Sequence, residues 1–435
     1  MKRGSDAAVL GAGITGCCLA LELAARGISV DLIDKAAQPM TGVSLHNEGK
    51  LHLGFVYAKD PNRSTHVKLI EGSLAFPHIL EELTGVDPKG CFSPSSFHYY
   101  VPNDSQLSLV EIENHFDAVQ KCIAEQLSGS GDKYLEASAN RSFEPNTGGR
   151  HAALFNPELT LGSFRTVEQS VSTEAVAELL CQAVARTPGI RFIGCATVES
   201  VAIASKEQVI VSATKEGLRT DRNYPAVINC LWEDRLRIDQ TAGILDSSQW
   251  IYRFKTTVRA KRPALVNSRI PSATGILGSY GDVVNHGNGD FYLSWYPICK
   301  IAQSVGGDGR DLNTAMHPSA VERMRRALDG NWPWLAGHIA AFAHRGFVRR
   351  VIEELAGYIP SLQELLRTKG ADRVGGGVIV ARGASDIDDR NSGLHARSQI
   401  GPSAHGSYFS VDTGKYCMGP LFARQTAAMV EAVLR

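Results

Sequence analysis

The sequence predicts an α/β fold in which a discontinuous domain with a parallel sheet is interrupted by an α+β unit built on an antiparallel sheet. Three observations predict it. The chain opens with strand, glycine-rich turn, helix and strand. Short apolar strands flanked by helices return in the middle and near the end. Between them, residues 251–304 alternate aromatic and polar positions and carry the turn pairs Gly281-Asp282 and Asn288-Gly289, the pattern of an antiparallel meander.

The first strand is expected at Ala7–Leu10, a helix at 14–26 and a second strand at 29–33. Gly27 stands where a left-handed C-cap ends a helix without a Cβ clash. Residues 43–57 are rich in Gly, His and Asn with weak periodicity, and an irregular stretch that long inside a compact fold is usually functional. Helical patterning follows at 64–83, a strand at 97–101 and a charged helix at 107–127. Ser172 can N-cap a helix over Thr173–Arg186, with Glu174 placed favourably for the dipole. Strands are expected at Ile190–Ile193, 197–202, 208–213 and 226–230, as a second α/β block. Helices are expected at 319–343 and 347–366, with a break at Pro360. Strands at 374–380 and 407–411 precede a closing helix, Gly419–Leu434. This places the nucleotide domain at 1–80, 155–240 and 370–435, and the inserted substrate domain at 81–154 and 241–369.

The 435 residues suggest two to three structural units. Lys+Arg and Asp+Glu balance at 45 each, which argues against a general polyanion binder, and no nucleic-acid partner is expected. Arg323, Arg325 and Arg326 read as a solvated helix face. The nine cysteines show no C-x-x-C pair or zinc-like spacing, so reduced thiols and no metal site are expected. No apolar run reaches the length of a membrane span, and none follows Lys2 and Arg3 as a signal core would; a cytoplasmic protein is expected.

Gly11-Ala12-Gly13-Ile14-Thr15-Gly16 carries the most weight. It matches G-x-G-x-x-G in the required Rossmann-like context: apolar strand before, helix after, then a strand ending in an acid. Gly11 makes the tight turn, Gly13 lets the backbone approach a pyrophosphate, and Gly16 allows close helix–strand packing. The helix N-terminus, at Ile14 and Thr15, favours phosphate charge. Asp34, about twenty residues on, stands where a carboxylate bonds a ribose diol, and its charge disfavours a 2′-phosphate. FAD or NAD therefore outranks NADP.

At these residues the chain resembles the D-amino-acid oxidase-like family of FAD oxidoreductases, whose members include glycine oxidase, sarcosine oxidase and 2-hydroxyglutarate dehydrogenase. Asp34-Lys35 looks like the family's acid-plus-base pair at the ribose. Gly42-Val43-Ser44, then Asn47-Glu48-Gly49-Lys50-Leu51-His52, resembles the loop that wraps the pyrophosphate and passes the flavin. Val198 matches the mid-chain valine that meets adenine, and Cys230 lies in the segment after the next strand. The family's small-residue segment there is replaced by Cys230-Leu231-Trp232. Thr413-Gly414-Lys415-Tyr416-Cys417-Met418 resembles the C-terminal flavin loop, and a helix N-terminus beyond it would stabilise charge on reduced flavin.

The resemblance implies non-covalent FAD, although Cys417 sits in the region of covalent attachment. It implies oxidation of a C–N or C–O bond in a small amine, amino acid or 2-hydroxy acid, with hydride delivered to flavin N5 and oxygen or another acceptor receiving the electrons. A flavin monooxygenase or tailoring enzyme acting on a larger molecule is the alternative within enzymes; a dinucleotide-binding protein without turnover is the alternative outside them. His52 and Lys50 are candidate groups beside the ring, and His46 a further one. Arg382 is a candidate for binding a substrate carboxylate through its forked guanidinium, with Asp386, Asp388 and Asp389 close by for an ordinary ion pair. Tyr252, Tyr280, Trp295 and Tyr296 lie on the meander expected to roof the flavin, and Tyr280 joins the catalytic candidates.

Overall fold

The structure, a computed structural model, describes residues 4–94, 96–128, 133–134, 137–138, 141–205, 208–266, 268–278, 280–305 and 344–435. The helix expected at 319–343, with its three arginines, lies outside them.

A six-stranded sheet forms one half of the molecule, in the order Ile190–Ile193, Val30–Ile33, Ala7–Leu10, Ala226–Asn229, Tyr408–Asp412, Gly401–His405. The first five strands run parallel; the last is antiparallel. The central strands are buried throughout because both faces are covered, which is why they read as unbroken apolar runs. On one face lie the helices Ile14–Ala25, Thr65–Thr84, Thr173–Arg186 and Gly419–Leu434, packed through Cys17, Leu21, Leu69, Leu180 and Phe422. The other face is covered by the strands Ala196–Ser205, Gln208–Lys215 and Leu218–Tyr224, whose Val198, Val201 and Val211 meet Leu10 and Ile33. These three strands form an antiparallel sheet. The expected second α/β block therefore supplies only its first and last strands to the parallel sheet. The intervening strands alternate buried and exposed residues, as a one-sided sheet requires.

Local signals set several boundaries. Gly27 has φ +77° just past the end of the first helix. Ser108 and Glu111 form a reciprocal capping box that starts Leu109–Leu127. Ser172 Oγ accepts the Ala175 N–H to start Thr173–Arg186.

The second sheet has nine strands. Its axis is Trp250–Lys261, paired along its full length with Ala371–Arg382 on one edge and with Asp290–Trp295 and Lys300–Val305 on the other. Gly281–Gly287, Ser272–Gly275, Phe97–Pro102, Thr160–Thr166 and Phe143–Pro145 continue it. The antiparallel meander is as expected, but the domain boundaries shift. Thr160–Thr166 and Ala371–Arg382, placed by sequence in the nucleotide domain, belong to this sheet. Residues 375–377 are all glycine, so the second strand shows no side-chain alternation by which to assign it. No helix among the described residues is long and apolar enough to cross a membrane.

Candidate active site

A single cavity of roughly 890 Å³ runs between the two sheets. It starts at the carboxyl ends of the parallel strands, the usual ligand position in such sheets. One end is lined by Asp34, Lys35, Ala196, Val198, Glu233 and Asp234, the middle by Gly11–Thr15, Gly42–Ser44 and Cys230, and the far end by Lys50, His52, Tyr280 and Arg397.

The nucleotide end is set by close packing. Gly11 has φ +94°, and a Cβ there would lie 2.7 Å from the Cys230 carbonyl oxygen. A Cβ on Gly16 would lie 1.8 Å from the Gly11 oxygen, so the helix could not approach the strand. Gly13 caps the helix with no side chain of its own, and the Ile14 N–H donates to Ser44 Oγ at 3.0 Å. Thr15 and Thr413 hydroxyls meet at 2.7 Å and tie the first turn to the C-terminal loop. The Asp34 carboxylate accepts the N–H groups of Ala12 (2.6 Å) and Ala36 (2.7 Å). Each of its oxygens keeps a further lone pair for a ribose hydroxyl. Lys35 pairs with Glu233 at 3.0 Å and Asp234 at 3.5 Å. Trp232, the bulky departure from the family pattern, takes φ +53° and donates its indole N–H to the Val378 carbonyl at 2.7 Å.

The 42–47 loop is pressed onto the long strand of the second sheet. A Cβ on Gly375 would lie 2.5 Å from His46 Nδ1, and one on Gly377 would lie 2.8 Å from Val43. Asn47 braces this loop by donating to the Val43 and Ser44 carbonyls, and its Oδ1 accepts the Gly49 N–H. Gly49, with φ +65°, passes so close to Val171 that a Cβ would lie 2.0 Å from its oxygen.

The far end is crowded with charge. Lys50 is 2% exposed. Its Nζ donates to Thr274 Oγ1 at 2.5 Å, stands 4.0 Å from the Phe97 ring centre, and is held below the usual lysine pKa by burial. Asp282 pairs with Lys255 at 3.2 Å. His52 is pushed down to about 3 by burial and by Lys415, whose Nζ lies 3.4 Å from His52 Nε2. His52 Nδ1 has no hydrogen-bond partner. Glu168, fully buried, accepts from the Tyr99 hydroxyl and the Leu53 N–H, and burial raises its carboxyl pKa. Glu48 is held well below the usual range by His52 and Lys255 despite burial.

A separate group forms the end wall. Arg253 Nη1 donates to the Tyr296 hydroxyl (2.9 Å) and Asp386 (3.1 Å), and Lys300 meets the same carboxylate at 2.5 Å. Arg397, 8% exposed, has an unpartnered Nε, and its Nη1 reaches only the Val380 carbonyl at 3.5 Å. No carboxylate among the described residues forms an ion pair with it. The Tyr280 hydroxyl is also unpartnered.

Most residues expected at the site converge on this cavity: Gly11, Gly13, Ile14, Thr15, Asp34, Lys35, Gly42, Val43, Ser44, His46, Asn47, Lys50, His52, Val198, Cys230, Tyr280, Gly414, Lys415 and Tyr416. Gly16, Gly49, Leu51, Cys417 and Met418 do not line it. They pack behind it, Leu51, Cys417 and Met418 with no exposure. Arg382 is a correction. It lies outside the cavity, 43% exposed at the side chain, paired with Asp246 at 3.2 Å and set over the Trp250 ring. Tyr252 and Trp295 are core, whereas Tyr296 lines the cavity. Sequence reading missed Arg253, Lys255, Thr274, Asp282 and Arg397, whose charges or hydroxyls lie at isolated positions on strands and a loop. Glu48 was visible inside a quoted motif but not singled out.

The cavity fits a dinucleotide: glycines replace every Cβ that would block the first turn, and a carboxylate faces the adenosine end. A family model described as FAD dependent oxidoreductase matches residues 6–386. The chain belongs to that family. This FAD-dependent oxidoreductase is similar in fold to the glycine oxidase of Geobacillus kaustophilus: 15% identity, 98% of this chain and 95% of that one covered, TM-score 0.61. It is similar likewise to the L-proline dehydrogenase of P. horikoshii: 13% identity, 99% and 94% covered, TM-score 0.64. The L-amino acid deaminase of Proteus myxofaciens, solved with anthranilate, shares 14% identity over 100% and 91%, with a TM-score of 0.61. No curated protein matches the chain.

Proposed function

We propose that this FAD-dependent oxidoreductase oxidises the C–N or C–O bond of a small amino acid or 2-hydroxy acid. The observation that carries the reading is Arg397, a buried guanidinium that lines the cavity and forms no ion pair with a carboxylate among the described residues. An unpaired buried charge is costly, and a substrate carboxylate would offset that cost with paired N–H···O bonds. The fold relatives named for amino-acid chemistry support the same class.

FAD, when bound, supplies the hydride acceptor at its N5. Asp34 and the first helical turn would hold the adenosine and pyrophosphate, and the Gly42–Ser44 loop and Gly414–Tyr416 the flavin. Cys417 packs away from the cavity, which supports non-covalent binding. Arg397 orients the carboxylate, Tyr280 offers an unpartnered hydroxyl in the same cavity, and Leu277, Ile387 and Leu394 exclude water from the reacting carbon. Oxygen or another acceptor then takes the electrons.

The test is an anaerobic screen of amino acids, amines and 2-hydroxy acids against the FAD-loaded enzyme, followed by absorbance. Bleaching by an amino or hydroxy acid and its reversal on admitting air or an artificial acceptor is the expected result. Flavin that stays oxidised throughout would sink the reading.

A further inference from the structure

We propose that Trp232 completes the FAD site by closing a ring of contacts around its middle, so that the indole retains the cofactor and must swing aside for FAD to exchange. The inference concerns how the cofactor is held and does not depend on which substrate is oxidised.

The ring can be followed residue by residue. Gly11 lies against Cys230, where a Cβ would come 2.7 Å from the carbonyl oxygen, and the Cys230 N–H donates to the Leu10 carbonyl at 2.8 Å. Two residues on, the Trp232 indole N–H donates to the Val378 carbonyl at 2.7 Å and so crosses from the parallel sheet to the antiparallel one. The neighbouring Gly377 faces the 42–47 loop, and a Cβ there would lie 2.8 Å from Val43. Ser44 Oγ then accepts the Ile14 N–H at 3.0 Å, which returns the path to the first turn and Gly11. Every residue on this path except Leu10 and Val378 lines the cavity. The cavity continues past the ring in both directions, to Asp34 and Val198 on one side and to His52 and Arg397 on the other. A dinucleotide long enough to fill both ends is therefore encircled and cannot leave sideways.

Among these links, the one at Trp232 is the one that a side-chain rotation can open. The Gly11–Cys230 contact is backbone against backbone, and Asn47 braces the 42–47 loop through the Val43 and Ser44 carbonyls. Trp232 holds through one side-chain hydrogen bond and through packing on Leu236 and Val378. Its backbone sits at φ +53°, a strained region for a bulky residue. The flanking residues keep it there. Asn229 Oδ1 accepts the Leu231 N–H at 3.1 Å, Asn229 Nδ2 donates to the Arg235 carbonyl at 3.0 Å, and Lys35 holds Glu233 at 3.0 Å. Across the cavity, no strand among the described residues pairs with the outer edge of Ala371–Arg382, which leaves the Val378 carbonyl open to accept. A small side chain at position 232 could not reach it.

The experiment loads the enzyme with radiolabelled FAD, adds excess unlabelled FAD, and follows the label retained on rapid gel filtration. Trp232→Phe keeps a ring but loses the N–H donor, and should speed FAD release by roughly 2- to 10-fold, the equivalent of one hydrogen bond. Trp232→Gly also removes the indole packing and should speed release by more than about 10-fold. ADP reaches the ring from the adenosine end but does not thread it. Its affinity for the flavin-free enzyme, measured by calorimetry, should change by less than about twofold in either variant. Unchanged FAD release in both variants would overturn the proposal. An equal weakening of ADP would overturn it too, since that marks a general loosening of the nucleotide domain. Should W232G fail to fold, W232F and its ADP control carry the test. Neither measurement needs turnover, so failure of the substrate screen and failure of this assignment are separate results.

Discussion

Two arginines fifteen positions apart show how a residue's meaning depends on what covers it. Arg382 ends a strand beside the exposed loop carrying Asp246, and is solvated and paired. Arg397 follows a short 3-10 turn, Gly393–His395, that carries Leu394 and His395 into the cavity, so its guanidinium is enclosed. Replacing Arg397 by Met should raise the KM of a carboxylate substrate by roughly 10- to 150-fold, the equivalent of one charge-assisted bond. Replacing Arg382 by Met should change it less than about twofold, as an exposed pair contributes little. Steady-state kinetics on both variants checks this; equal losses would return the carboxylate site to Arg382. The same logic applies to Gly16→Ala. Its Cβ cannot coexist with the Gly11 carbonyl, so the variant should lose most FAD affinity, measured by flavin retained on gel filtration.

Among the elements, Ala371–Arg382 does the most to shape the site. Its three glycines admit the 42–47 loop on one side and the Lys255 backbone on the other. Gly377→Val would meet Val43 head-on and should cost about 1–3 kcal/mol of stability through overpacking. It should also weaken FAD binding, read by urea unfolding and flavin fluorescence. The nucleotide fingerprint was legible in sequence because glycine, strand, helix and acid recur at fixed spacing, and each of those features is local. The long strand's sheet membership was not, because glycine erases the period-2 pattern. The acidic and basic residues of the far end were not legible either. Arg253, Lys255, Thr274 and Asp282 become neighbours only through cross-strand pairing, and nothing in the spacing of 253, 255, 274 and 282 announces it.

Across the whole molecule, buried neutral histidines set the response to acid. His98 and His115 are held down to about 4, and His52 and His286 to about 3, chiefly by burial. An unfolded chain protonates its histidines near pH 6.5. The folded state therefore binds fewer protons over this window, and stability falls as pH drops from about 6.5 toward 4. Unfolding free energies from urea titrations should be nearly level between pH 7.5 and 6.5 and fall below that toward pH 5, by up to about 1.4 kcal/mol per pH unit for each histidine fully shielded in the fold. A flat profile would contradict the burial of these rings. Saturating FAD should raise the midpoint at every pH, by mass action on the folded form.

The chain crosses between its two sheets several times: 7–33 in one, 97–166 in the other, 190–229 back, 250–305 out, 371–382 still out, and 401–412 home. Four of these visits, 7–33, 190–229, 250–305 and 371–382, contribute residues to the same cavity or end at its edge. No single cut therefore separates a flavin-holding piece from a substrate-holding piece. Truncation at any linker should yield fragments that capture no FAD, whereas co-expressed halves should recover it only by reassembling both layers. Modular swapping, the usual route to new specificity in multidomain enzymes, is closed to this architecture; its pocket can be re-tuned only side chain by side chain.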